Sequence, residues 1–298
     1  MHEDTAAARP VRRPPLEPGP PPPGGLLWDL TGDVRTVLTL PPAMALQVAH
    51  PAVGAGVDEH SVFRTDPWGR ARRSLDSVLL WVYGGDRARE EGRRLRTLHA
   101  GVRGTDAHGR SYRALDPATY AWVHATGFPV MRHARGYLGR PFTEEEERRL
   151  YAEWLQVGRV LGLRDRDMPP TPAAFWPYYR RMLDDEIEST PVLRELVSLT
   201  AAVPAPTGGP AALRAPLRVL WPLLRPPFLR LRAFVTVGLL PPEARQAAGL
   251  PWTPRQERRL RRFGWAVRVT AAVLPERLRY FPAARRARAQ HRAGTYPG

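Results

Sequence analysis

The residues with chemical potential begin with Arg96, His99 and Arg103. On a helix, positions i−3, i and i+4 share one face, so this spacing predicts an imidazole and two guanidiniums projecting together. An imidazole nitrogen ligates iron and arginines pair with carboxylates, which is the donor set that a haem and its two propionates require. A solvated basic face with an incidental histidine accounts for the same three residues. A second group is Arg70 and Ser74, four apart on the helix expected to begin near Pro67. A cation and a hydroxyl on one face could orient dioxygen on the open side of such an iron. An ordinary basic first turn is the plainer account.

Other chemistries find less support. The chain has no cysteine, which removes disulfides, thiolate metal sites, iron–sulfur clusters and a cysteine nucleophile. Its eight histidines include no His-Glu-x-x-His pattern, and no phosphate-binding glycine loop or Gly-x-Ser-x-Gly elbow is present. The acidic run Glu144–Glu147 is explained by its place at a helix start. Asp184-Asp185-Glu186 stands at the less favourable end of a helix but has no nameable partners.

The elements that must position these residues read as helical. Asp66-Pro67 opens a helix that Gly84-Gly85 stops near Tyr83, and Asp86 is expected to cap the next, which ends near Gly101–Gly104. Asp116-Pro117 opens the helix carrying Tyr120, Trp122 and His124. Thr143 with Glu146 forms a capping box for a helix to about Leu161, Thr171-Pro172 opens one to about Ile187, and Thr253 with Gln256 caps one to about Leu274. Pro41-Pro42 interrupts a helical stretch over Val34–Val48, and prolines punctuate the chain up to Leu240. Alternating strand patterns are scarce. The expectation is all-α: a helical domain over 26–278, a disordered proline- and arginine-rich tail over 1–25, and a basic tail over 279–298 that frays.

The formal charge is +16, and with no lysine all 45 basic residues are arginine. They are spread along the chain rather than gathered on one element with interleaved aromatics, which argues against nucleic acid. No segment reaches the length of a membrane span. The apolar stretch that would follow Arg12-Arg13 in an export signal is replaced by prolines, so the sequence is read as cytoplasmic. Leu213–Leu240 mixes arginine with leucine, tryptophan and phenylalanine, a pattern suited to peripheral membrane contact.

Several blocks occur in a recognisable order: Gln47-Val48-Ala49-His50-Pro51, Gly56-Val57-Asp58-Glu59-His60-Ser61-Val62-Phe63, Val82-Tyr83-Gly84, Leu98-His99-Ala100-Gly101-Val102-Arg103-Gly104, Tyr112-Arg113-Ala114-Leu115-Asp116-Pro117 and Trp122-Val123-His124-Ala125-Thr126. Together they resemble the catalytic-domain family of the mycophenolic-acid-pathway oxygenase (MpaB-type) and the rubber oxygenase, or latex clearing protein. The resemblance implies an all-helical, globin-like core that binds haem b. It further implies oxidative cleavage of isoprenoid double bonds with dioxygen. His99 matches the family's proximal haem ligand, Arg96 and Arg103 its flanking arginines, and Arg70 its distal arginine, while Ser74 stands where the rubber enzymes carry threonine. His124 lies in a block characteristic of the family and is taken as a further catalytic candidate.

There are departures. The glutamate that rubber oxygenases place upstream of the distal arginine falls near Gly54, with Glu59 a loose substitute, and Arg73 replaces a lysine. The expected reading is a haem b-dependent oxygenase acting with dioxygen on a hydrophobic small molecule, admitted between helices past residues such as Leu79, Leu80, Trp122 and Phe128. A haem carrier or gas sensor without oxygenase activity and a membrane-surface protein are the competing readings. Nothing in the sequence fixes the oligomeric state.

Overall fold

The structure, a computed structural model, describes residues 19–208 and 211–296. The first eighteen residues of the expected tail lie outside the described ones. Residues 19–25, read as the rest of that tail, instead pack on the domain. Gly19, Pro21 and Gly25 are buried, and the Pro20 carbonyl accepts a hydrogen bond from Gln156 Nε2 at 2.9 Å.

Helix α1 (Leu26–Gly32) has no cap of its own at Gly25. The buried Glu153 carboxylate accepts its first amides instead, from Leu26 N at 3.0 Å and Leu27 N at 2.6 Å. Any side chain at Gly25 would place its Cβ 2.6 Å from that carboxylate, so the close approach requires glycine. A 3-10 turn over Val34–Leu38 leads into α2 (Leu40–Val48). Pro41-Pro42 occupies the first turn of α2, where a missing N–H costs nothing, so the prolines start that helix rather than interrupt it. His50 precedes α3 (Pro51–His60), which Ser61 terminates.

Helices α4 (Pro67–Tyr83) and α5 (Asp86–Ala100) follow the expected boundaries and fold back on each other through Gly84-Gly85. The start of α4 and the end of α5 therefore meet at one end of a helical hairpin. The all-helical expectation misses one piece, an antiparallel ribbon of β1 (Arg103–Thr105) and β2 (Ser111–Arg113), with Gly104 opposite Tyr112. Next come α6 (Pro117–Ala125), α7 (Gly127–Leu138) and α8 (Glu144–Val160), the last opened by the expected Thr143–Glu146 capping box. Helices α9 (Pro172–Asp185), α10 (Pro191–Val197) and α11 (Ala211–Gly238) complete the middle of the chain. Helix α11 runs continuously through four internal prolines.

The centre is aromatic. Phe128 lies 5.1 Å from Phe175, edge to face, and Trp122 stacks at 6.1 Å on Tyr179. Short α12 (Pro242–Ala247), then α13 (Pro254–Val273), α14 (Glu276–Arg279) and α15 (Pro282–Arg292) close the fold. The basic end does not fray: Ala284 and Ala287 are buried, and α15 packs on α1 and α4. Buried Asp33 joins the two ends of the chain, holding Arg35 Nη2 at 2.6 Å and Arg279 Nε at 3.1 Å.

Candidate functional site

His99 sits in the last turn of α5, half-buried. Its Nδ1 lies 2.7 Å from the Leu95 carbonyl one turn earlier. A carbonyl only accepts, so Nδ1 carries the proton and Nε2 keeps a lone pair. No described residue hydrogen-bonds Nε2. The nearest ring is Tyr120, 6.5 Å away and edge-on, held by its own hydroxyl donating to Leu161 O at 3.1 Å. A histidine whose one nitrogen is oriented by a backbone carbonyl, and whose other nitrogen is uncommitted, has the arrangement of a metal-ligating imidazole.

Only one of the two flanking arginines is on one helical face with it. Arg96 is, and its guanidinium lies 5.8 Å above the Tyr120 ring with Nη1 3.5 Å from the Gly162 carbonyl. Arg103 is not, because α5 stops at Ala100 and the Val102 amide closes on His99 O. Arg103 opens β1, exposed, with its carbonyl accepting from His60 Nε2 at 3.3 Å. Neither arginine forms an ion pair among the described residues. In a chain with such an excess of arginine, an unpaired exposed guanidinium is ordinary, so this alone decides little.

Arg70 is different. It projects from the first turns of α4 and is half-buried, with Nε donating to Ser61 Oγ at 2.9 Å and Nη2 at 3.5 Å from Met44 Sδ. No described carboxylate pairs with it. Burial and then the charge of Arg73 hold its pKa below the usual arginine value. A desolvated cation kept by a hydroxyl and a thioether costs folding energy that an ion pair would have offset, and such uncompensated charge marks sites built for a ligand. Ser74 stands one turn further along α4, half-buried. Ser61 and Met44, which hold Arg70, escape sequence reasoning because no spacing rule links them to it.

His124 is placed otherwise. It is enclosed on α6, stacked on Trp154 at 4.4 Å with planes 5° apart, and its Nε2 donates to the Trp154 carbonyl at 2.9 Å. Trp154 Nε1 returns a bond to His124 O at 3.2 Å. Burial pushes the His124 pKa down to about 4. One face of the ring and its Nε2 are thus taken by Trp154, and burial closes the ring off from solvent.

The expected entrance also changes. Trp122 and Phe128 are fully buried in the aromatic centre and line no opening. The aromatics where α4 begins are Trp68, which the two-residue spacing turns away from Arg70, with Trp221 and Phe228 of α11 at 6.0 Å and 5.3 Å from the Trp68 ring. At Gly54, the position of the missing glutamate, an added Cβ would sit 2.8 Å from Val48 O, so the backbone leaves no room for a side chain there. Glu59 accepts the Tyr112 hydroxyl at 2.9 Å, and Arg73 pairs with the α4 cap Asp66 at 3.0 Å. Among the described residues no group of three or more His, Asp or Glu side chains could hold a metal ion. A metal here would therefore take most of its ligands from a cofactor.

Compared with known families, residues 28–269 match the one described as ER-bound oxygenase mpaB/B'/rubber oxygenase, catalytic domain. The chain belongs to this oxygenase family. It is also similar to the uncharacterized proteins Mb2261 of Mycobacterium bovis and Rv2237 of Mycobacterium tuberculosis. Each is 28% identical over 250 residues, which cover 80% of this chain and 91% of the relative. No solved structure matches it. Among the described residues, no helix is long and apolar enough to cross a membrane.

Proposed function

We propose that this member of the oxygenase family binds haem b through His99 and oxidatively cleaves a carbon–carbon double bond of an isoprenoid or other lipid-like molecule with dioxygen. The observation that carries the reading is the His99 ring, oriented by Leu95 O and left with Nε2 uncommitted. The surrounding residues suit the group. Arg96 and Arg103 flank the imidazole without carboxylate partners of their own and would hold the propionates. Haem bound there supplies the redox chemistry with dioxygen that a cysteine-free chain lacks.

The chain's own contribution is placement and electrostatics. Leu95 O fixes the tautomer of His99. Arg70, held by Ser61 and Met44, presents donors and a fixed positive charge to an oxygen-bearing reactant in a site from which much water is excluded, where such a charge acts strongly. Ser74 offers a hydroxyl from the same helix face. Trp68, Trp221 and Phe228 cluster where α4 begins, an apolar surface of the kind an alkene chain uses. His124, closed in by Trp154, supports α6 and so Tyr120 beside His99, a positioning role rather than contact with the reactants.

A second reading has one observation in its favour. With no space at Gly54 and Glu59 engaged by Tyr112, the glutamate of the rubber oxygenases has no clear counterpart, which suits a haem protein that senses or carries rather than oxidises. Absorbance and oxygen uptake separate the cases. Reconstituted with haemin, the full chain should show a Soret band and consume oxygen when an isoprenoid alkene is added. A Soret band with no uptake supports the second reading; no band after haemin addition overturns both.

A further inference from the structure

Nine of the thirteen large apolar side chains that stand exposed among the described residues belong to α11, α13 and α14. The densest group is on α11, where Val219, Leu220, Leu223, Leu224 and Leu231 are exposed, Val219 at 78% and Leu223 at 76%. At 100° per residue these five fall within an arc of about 140°, with buried Val235 at its edge and buried Trp221 and Leu229 beyond it. An apolar face of this kind, left in the open, marks a surface meant to be covered.

The charges say by what. Arg218 and Arg225 are exposed on the opposite side of the helix from the leucines, Arg230 is exposed among them, and no aspartate or glutamate occurs between Glu195 and Glu243. A second copy of the chain would set a net charge of +16 against another of the same sign. An anionic bilayer surface matches both features: the leucines enter the boundary between headgroups and acyl chains while the arginines reach phosphate. The prolines fix the depth. Pro216, Pro222, Pro226 and Pro227 lack the N–H that would satisfy carbonyls one turn earlier, and those carbonyls need water. That suits a helix lying in the hydrated headgroup layer rather than one inserted into hydrocarbon.

We propose that the exposed face of α11 docks this protein on anionic membrane surfaces. The inference stands apart from the haem reading, because vesicle binding is read on the polypeptide whether or not a pigment is bound. In flotation, the full chain should rise with phosphatidylcholine vesicles containing a quarter phosphatidylglycerol, stay behind with pure phosphatidylcholine, and be released by high salt. Val219→Asp with Leu223→Asp should abolish flotation while circular dichroism keeps its helical signal. Should that pair disturb folding, Arg218→Gln and Arg225→Gln, on exposed positions, should each weaken binding by about fivefold. A chain that stays in the soluble fraction with both vesicle types at low salt overturns the proposal. So does light scattering showing a dimer that the two aspartates dissolve, which would give the face to a second copy.

Discussion

His99 and His124 stand on successive helices, α5 and α6, and use the same ring in opposite ways. In His124 the Nε2 nitrogen is consumed by the Trp154 carbonyl and the ring is buried against Trp154, so the imidazole acts as a packing piece with one hydrogen bond. In His99 the Nδ1 nitrogen is consumed by Leu95 and the ring is only half-covered, so Nε2 remains for something else. The same contrast separates the regions around them. His124 and Trp154 exchange hydrogen bonds across α6 and α8, whereas around Arg70 a half-buried charge makes do with a hydroxyl and a sulfur. Where a folded chain leaves such a charge uncompensated, stability has been given up, and ligand binding is the ordinary reason.

The sharpest way to break this contrast is to truncate each ring. His99→Ala should eliminate the Soret band of the haemin-reconstituted chain and leave the thermal melt of the haem-free protein nearly unchanged. His124→Ala should do the reverse, lowering stability by about 2–4 kcal/mol through a cavity beside Trp154 and an orphaned carbonyl, while the remaining folded protein still takes up haem. Equal effects of the two on pigment binding would erase the distinction. A smaller effect is expected at Arg70. Arg70→Gln should retain the Soret band but slow alkene-dependent oxygen uptake by roughly 100-fold, the range for removing one oriented electrostatic donor. Loss of pigment in that variant would move Arg70 from the reactants to the cofactor.

The smallest effect concerns protons. Burial holds His124 and His133 at about 4, below the unfolded histidine value of about 6.5. Between these values the unfolded chain binds protons that the native rings refuse. Stability is therefore fully present above pH 6.5 and is lost as pH falls toward 4. For the enclosed His124 the loss between pH 7 and pH 5 is about 2 kcal/mol. Melting temperatures at the two pH values should show the decline, and His124→Phe should make it shallower. An unchanged slope in that variant would mean the ring is not shielded as described.

Much of this architecture was legible in local chemistry. Asp66-Pro67 and Gly84 bound α4, the Thr143–Glu146 box starts α8, and Thr253–Gln256 starts α13, because caps and prolines act within a single turn. What the sequence hid depends on distant partners. Strands of three residues carry no readable alternation, so the β1–β2 ribbon is invisible in the sequence and Arg103 reads as helical when it opens a strand. Four prolines argued against one continuous α11, which tertiary packing of Trp221 and Leu229 overrides. Of the candidate residues, His99 and Arg96 were placed correctly on α5, but the partners that distinguish Arg70 and His124, namely Ser61, Met44 and Trp154, come from elsewhere in the chain.

The clasp at Asp33 has a practical corollary for anyone shortening this protein. The family match ends at 269, yet Arg279 reaches back to Asp33, Phe281 N binds Gly32 O, and α15 covers α1 and α4. At the other end the match begins at 28, one residue past the amides that Glu153 captures. A fragment cut to the matched boundaries would expose Ala284's docking surface, take from Asp33 one of its two arginines and leave the buried Glu153 carboxylate without the amides it holds. The smallest autonomous folding unit is therefore longer than the stretch by which its kinship is recognised.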